Sequence, residues 1–177
     1  MFEEIIHTVM AFDGFVTTAI LIVFGCIDLG IGENQPKDIA FLCIGCAVCD
    51  TIALIFSVLA GMAYDAIMLA LFVYLLWSLA LAFYTGTNMV TQGHLTMVIG
   101  VIFILLGTIG CTRLGDILTG VAAGILGIYL CLFALVFYFG ERVRIVEKTA
   151  GILAFVDGFL WFLMSYNLLM ASLQNAL

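Results

Sequence analysis

The chain has 177 residues, of which 66% are hydrophobic and only 10% charged. Soluble domains carry roughly 25% charged residues, so a water-soluble core is excluded, and the mean hydropathy of +1.31 points to a bilayer. The net charge of −7 includes acids set inside apolar segments, and no basic surface exists for nucleic acid.

Six apolar runs fill nearly all of the chain, at about 9–31, 39–63, 66–85, 95–112, 117–139 and 149–173. About 20 apolar residues take a helix across ~30 Å of hydrocarbon. None of the runs shows the period-two alternation of a barrel strand. The expected fold is therefore all-α: one integral membrane bundle of six transmembrane helices over residues 1–177, with short connections and no extramembrane head. The acidic start, Glu3-Glu4, is unlike a basic signal peptide, so the first run is expected to be a mature span.

Span one carries Asp13 near its start, with Thr17 and Thr18 one turn on. His7 precedes it as an interfacial polar residue. Connection one contains Pro36, the single proline, and Lys37. Span two places Cys43, Cys46, Cys49 and Asp50 at three-residue spacing, which on a helix is one face. A soft-metal site is one reading of that face. Close helix contact through small residues is the other, and no metal or other cofactor is expected. The six cysteines all fall in or beside apolar segments, so no disulfide framework is expected.

Span three is rich in aromatics, among them Phe72, Tyr74 and Trp77. His94 falls in connection three, beside Gly93. Span five has a small face at Gly120, Gly124 and Gly127, followed by Tyr129 and Phe133. Span six carries Asp157 and Trp161. The segment Ala154-Phe155-Val156-Asp157-Gly158-Phe159 echoes Ala11-Phe12-Asp13-Gly14-Phe15 of span one; one reading is a remnant repeat, the other a coincidence of biased composition. Intramembrane carboxylates are costly. With no deep Lys, Arg or His to pair with, Asp13, Asp50 and Asp157 must be neutral, wetted, or bonded to hydroxyls.

Four of the five basic residues, Lys37, Arg142, Arg144 and Lys148, lie in odd-numbered connections; Arg113 alone lies on the other side. The positive-inside rule puts the richer side in the cytoplasm and both termini outside.

Several stretches together resemble the AmiS/UreI family of six-span urea and short-chain amide channels. They are Gln35-Pro36-Lys37-Asp38-Ile39-Ala40 at the entry to span two and Leu71-Phe72-Val73-Tyr74-Leu75-Leu76 in span three. Gly140-Glu141-Arg142 ends span five, and Ala150-Gly151 through Asp157-Gly158 lies in span six. The resemblance implies a membrane channel, each protomer of a homohexamer passing a small neutral solute through its own pore, in the cytoplasmic (inner) membrane of a bacterium. It assigns Phe72 as a pore aromatic and Asp157 as the polar group of the last span. Leu76 stands where the family has a tyrosine, with Trp77 adjacent. Tyr129 and Phe133 are the nearest substitutes for the Trp-rich span five of the family, and His94 stands where it has a Trp opening span four. The expected pore set is thus Phe72, Leu76, Trp77, Tyr129, Asp157 and Trp161, with Asp13, Asp50 and His94 as further polar groups.

Two other readings stay open. Phe15-Val16-Thr17-Thr18-Ala19-Ile20-Leu21 loosely resembles the first span of the acetate–succinate permease family, which implies a proton-coupled monocarboxylate transporter. A non-transport membrane scaffold is the other. No Ser/His/Asp or His/Cys arrangement and no Gly-rich phosphate loop is present, so an enzyme is not expected.

Overall fold

The computed structural model describes residues 2–32 and 35–176; side chains are described for all of these except Phe2, Glu3, Glu141, Asn175 and Ala176. The Glu141 of the span-five resemblance therefore lies outside the described side chains. Six helices run in sequence: α1 (Phe2–Leu29), α2 (Pro36–Leu59), α3 (Ala63–Thr85), α4 (Met89–Ile109), α5 (Ile117–Phe139) and α6 (Arg144–Ala176). A π-helical turn, Gly110–Leu114, continues α4, and a 3-10 turn, Gly140–Val143, joins α5 to α6. All six are long and apolar enough to cross a bilayer. The protein is a six-span helical membrane protein.

Helix ends follow local chemistry and not hydropathy, which is why several lie outside the apolar runs. Pro36 opens α2, where its missing N–H is no loss, and Asp38 sits in the first turn. The Asn88 side chain accepts the Val90 N–H at 2.9 Å and starts α4 there. His94 consequently lies in the second turn of α4 and not in a connection, a correction to the sequence reading. Asp116 caps α5 by accepting the Thr119 N–H at 3.1 Å. Gly86, at φ +67°, ends α3 in the left-handed region that suits glycine.

The helices close a ring in chain order: each packs on its two sequence neighbours, and α6 returns to α1. Closest are α1–α6, α4–α5 and α2–α3; α1–α2 and α3–α4 are slighter seams. Both chain ends therefore lie at one end of the ring, where Thr8 Oγ1 and Ser172 Oγ are 3.0 Å apart.

Small residues at seven-residue spacing make the tight seams. On α4, a Cβ at Gly93, Gly100 or Gly107 would strike α5, and one at Gly120 or Gly127 would strike α4. On α6, Gly151, Gly158 and Ser165 face Gly25, Thr18 and Gly14 of α1, and Thr18 Oγ1 donates to the Gly158 carbonyl at 3.2 Å. Lipid tails are as apolar as the helices, so close backbone approach, and not water exclusion, holds such seams. The slighter α3–α4 seam is stitched by polar contacts: Ser78 Oγ donates to Gln92 Oε1 at 2.6 Å, and Tyr64 Oη to the Leu106 carbonyl at 2.8 Å.

Side chains fill the middle of the ring. Phe24, Phe72, Leu76, Phe103, Leu126, Tyr129 and Phe133 are all buried there. The outer surface is apolar, with Phe41, Tyr74, Leu81 and Leu105 exposed, as a lipid-facing surface requires.

A Cβ at Gly107 would lie 2.6 Å from the Gly120 carbonyl, whereas one at Gly124 meets nothing within 4 Å. Gly107→Val is expected to lower stability by about 1–3 kcal/mol through overpacking, and Gly124→Ala to leave it unchanged. Thermal melts in detergent check this; equal melts for the two variants would contradict the seam.

Candidate functional site

At the end of the ring that carries the termini, a cavity of about 260 Å³ opens between α1, α3, α5 and α6. Gly14 and Thr17 of α1, Phe72 of α3, Leu126 of α5, and Trp161 and Ser165 of α6 form its walls and floor. Asp65 and Asp116 also line it, and no basic residue does.

Next to the floor lies Asp157, 0% exposed. Its position follows from the α1–α6 seam. Gly158 turns to α1, so its neighbour Asp157 turns to the bundle interior along with Ala154 and Trp161. Neither carboxylate oxygen has a hydrogen-bond partner. The indole of Trp161, one turn on and half-buried, faces it without closing a direct hydrogen bond, and Nε1 is itself unpartnered. Tyr129 comes from α5, where Gly120 and Gly127 face α4 while Leu126, Tyr129 and Phe133 turn to the interior. Its buried Oη faces the Asp28 carboxylate at hydrogen-bonding range without closing a direct hydrogen bond, and Asp157 also lies within its electrostatic reach. Nearly all buried polar atoms in proteins are hydrogen-bonded. Here an acceptor-only carboxylate and an N–H donor face each other beside a cavity, and the Tyr129 hydroxyl nearby is directed at Asp28. That arrangement can accept N–H groups and donate to a carbonyl at the same time.

The cavity does not extend through the ring. Leu76, one turn beyond Phe72, and Phe103, whose ring lies 6.5 Å from that of Phe72, are packed at its inner end. Phe24 and Phe133, with ring centres 5.9 Å apart, lie beyond them.

Asp13 and Asp50 form a separate group on the α1–α2 seam. Both are buried, and their carboxyl groups face each other at hydrogen-bonding range. Cys46 Sγ approaches the two Asp50 oxygens at 3.6 and 3.7 Å. Two carboxyl groups can bond to one another only when one of them carries a proton. The Cys43, Cys46 and Cys49 face thus contributes a weak thiol donor, and among the described residues no group of three or more ligands suits a metal ion.

Of the expected pore set, Phe72, Trp161, Asp157 and Tyr129 come together. Leu76 is buried one turn deeper. Trp77 turns outward, 45% exposed; α3 is apolar all round, so hydropathy alone could not assign its faces. His94 is exposed at the opposite end, its Nδ1 2.7 Å from Tyr138 Oη. Asp28, Asp65 and Asp116 were missed. The last two read as helix starts, and Asp28 lay inside the first apolar run, where its charge was the available signal. The Asp-Gly echo has a packing basis: Gly14 and Gly158 both sit in the α1–α6 seam, and the preceding aspartates turn away from it.

Fold and site together define a six-span helical membrane protein with a buried polar cluster beside a one-ended cavity. Comparison with known proteins found no matching family model, no similar curated protein and no similar solved structure.

Asp50→Asn keeps a donor for Asp13 and is expected to melt close to the native protein. Asp50→Leu leaves Asp13 without that partner and should cost about 1–3 kcal/mol. Thermal melts in detergent measure both, and equal stability of Asp50→Leu would contradict the shared hydrogen bond.

Proposed function

We propose that the protein is a membrane channel for urea or a similar small uncharged amide, with Asp157, Trp161 and Tyr129 as the groups that receive the solute. One observation carries this reading: the buried Asp157 carboxylate faces the indole of Trp161, which lines the cavity, and neither closes a direct hydrogen bond. A planar amide matches them, since its N–H groups satisfy Asp157 while its carbonyl accepts from Trp161 Nε1 or Tyr129 Oη. Replacing hydration with a few aimed hydrogen bonds between apolar walls is how narrow pores select solutes. Phe72 and Leu126 supply such walls.

The family resemblance agrees with this cargo and adds a homohexamer in a bacterial cytoplasmic membrane with one pore per protomer. The distribution of basic residues adds an external position for both termini, so the cavity mouth faces outward on this reading. The packed residues at the inner end of the cavity make this a closed form. The α2–α3 hairpin, joined to the rest by the two slighter seams, carries Phe72 and Leu76 and is the part whose displacement opens the path.

The facing carboxyl groups of Asp13 and Asp50 favour a second reading, proton-coupled transport. A monocarboxylate cargo fits it poorly, because Asp65 and Asp116 at the mouth repel anions.

Proteoliposomes containing the protein should swell in urea or acetamide gradients faster than lipid alone, with no dependence on a pH gradient. Asp157→Leu should return the flux to the lipid background. Trp161→Phe should reduce it roughly fivefold, the loss of one hydrogen bond of ~1 kcal/mol, and outward-facing Trp77→Leu should leave it intact. Absence of amide flux in the native protein, or full flux in Asp157→Leu, overturns the reading.

A further inference from the structure

At the opposite end of the ring, a second cavity of about 490 Å³ lies between the end of α1 and the first two turns of α6. Asp28, Leu29, Gly30, Arg144, Glu147 and Lys148 line it. Four of these six are ionisable, two acids and two bases, and among the described residues no ion pair joins them. The acids lie inside and the bases outside. Asp28 is 4% exposed with Oδ2 unpartnered, Glu147 is half-buried, and Arg144 and Lys148 are exposed.

Opposite charges that share a cavity without meeting suit a ligand carrying both signs. The acids can take up to three N–H donors from a primary ammonium. The bases suit a phosphate, which Arg binds as a fork and Lys as a point charge. The surroundings name the source. Arg144, Lys148 and Ile152 follow one another at four-residue spacing and so share a helix face. Ile152 is 57% exposed on the apolar outer surface. A phosphate on the first two residues of that stripe therefore continues into acyl chains along the third. Basic residues between helix ends at the membrane interface are established headgroup contacts; the buried acid adds a demand for an amine.

We propose that this cavity binds the headgroup of an aminophospholipid, with its phosphate on Arg144 and Lys148 and its primary ammonium on Asp28 and Glu147. Asp28 also faces Tyr129, so the two sites adjoin, but this proposal does not rest on the amide reading.

Native mass spectrometry of the delipidated full chain, titrated with single lipids, tests the assignment. Phosphatidylethanolamine should bind about tenfold more tightly than phosphatidylcholine, whose quaternary amine has no N–H, and than phosphatidylglycerol, which has no amine. Asp28→Asn should remove that preference while phosphatidylglycerol still binds. Glu147→Gln, at the cavity rim, should weaken the preference in the same direction and serves if Asp28→Asn does not fold. Arg144→Gln with Lys148→Gln should weaken all three lipids. Equal affinity for ethanolamine and choline lipids, or a preference unchanged in the acid variants, overturns the proposal. Binding of water-soluble phosphoethanolamine as tight as that of the lipid overturns the membrane source.

Discussion

The close approach of α1 to α6 along Gly14, Thr18 and Gly25 on one side and Gly151, Gly158 and Ser165 on the other converts a row of six helices into a ring. Inside lipid there is no hydrophobic effect between helices to drive closure, so it depends on backbones coming near enough for dense van der Waals contact. The same seam fixes the rotation of both helices. With Gly158 against α1, Asp157 turns inward. With Gly14 against Ser165, Asp13 turns toward α2. Bulk on the seam would rotate these acids or separate the helices, and the interior chemistry depends on where they point.

A carboxylate at the helix centre costs about 2.5–3.5 kcal/mol on insertion scales. The protein offsets that cost in different ways at different depths. Asp13 and Asp50 face one another across the α1–α2 seam. Asp157 has no base beside it and faces the indole of Trp161 without closing a direct hydrogen bond. Asp28 lies at the end of its helix, facing a cavity with charges of both signs. The first pair is turned to each other, with Asp13 Oδ1 left without a partner. The other two are incomplete without a ligand, which is why solute and headgroup are assigned to them.

The number of spans was legible because length and hydropathy are what a bilayer selects, and the buried acids were legible because charge stands out in such a background. Helix rotation was not. α3 is apolar on every face, so Phe72 and Trp77 look alike in sequence although one lines the cavity and the other faces outward. The seven-residue spacing of glycines in α4, α5 and α6 was a readable signal for which faces touch, and following it would have placed Tyr129 and Asp157 inside. Helix starts were misjudged at α1, α4 and α6, because caps and interfacial polar turns extend helices beyond the apolar run; His7 lies inside α1, and His94 was carried into a helix by the Asn88 cap. The cargo proposed comes from the sequence resemblance alone, since neither composition nor packing names one.

The central claim is that Asp157 is reached by solute from the cavity beside it. In a background with the six native cysteines replaced, Asp157→Cys can be exposed to a small water-soluble thiol reagent from either face of sealed vesicles. The account expects labelling from the face that carries the termini, slowed by acetamide and absent from the other face in the closed form. No labelling from either face, or labelling indifferent to acetamide, would contradict it.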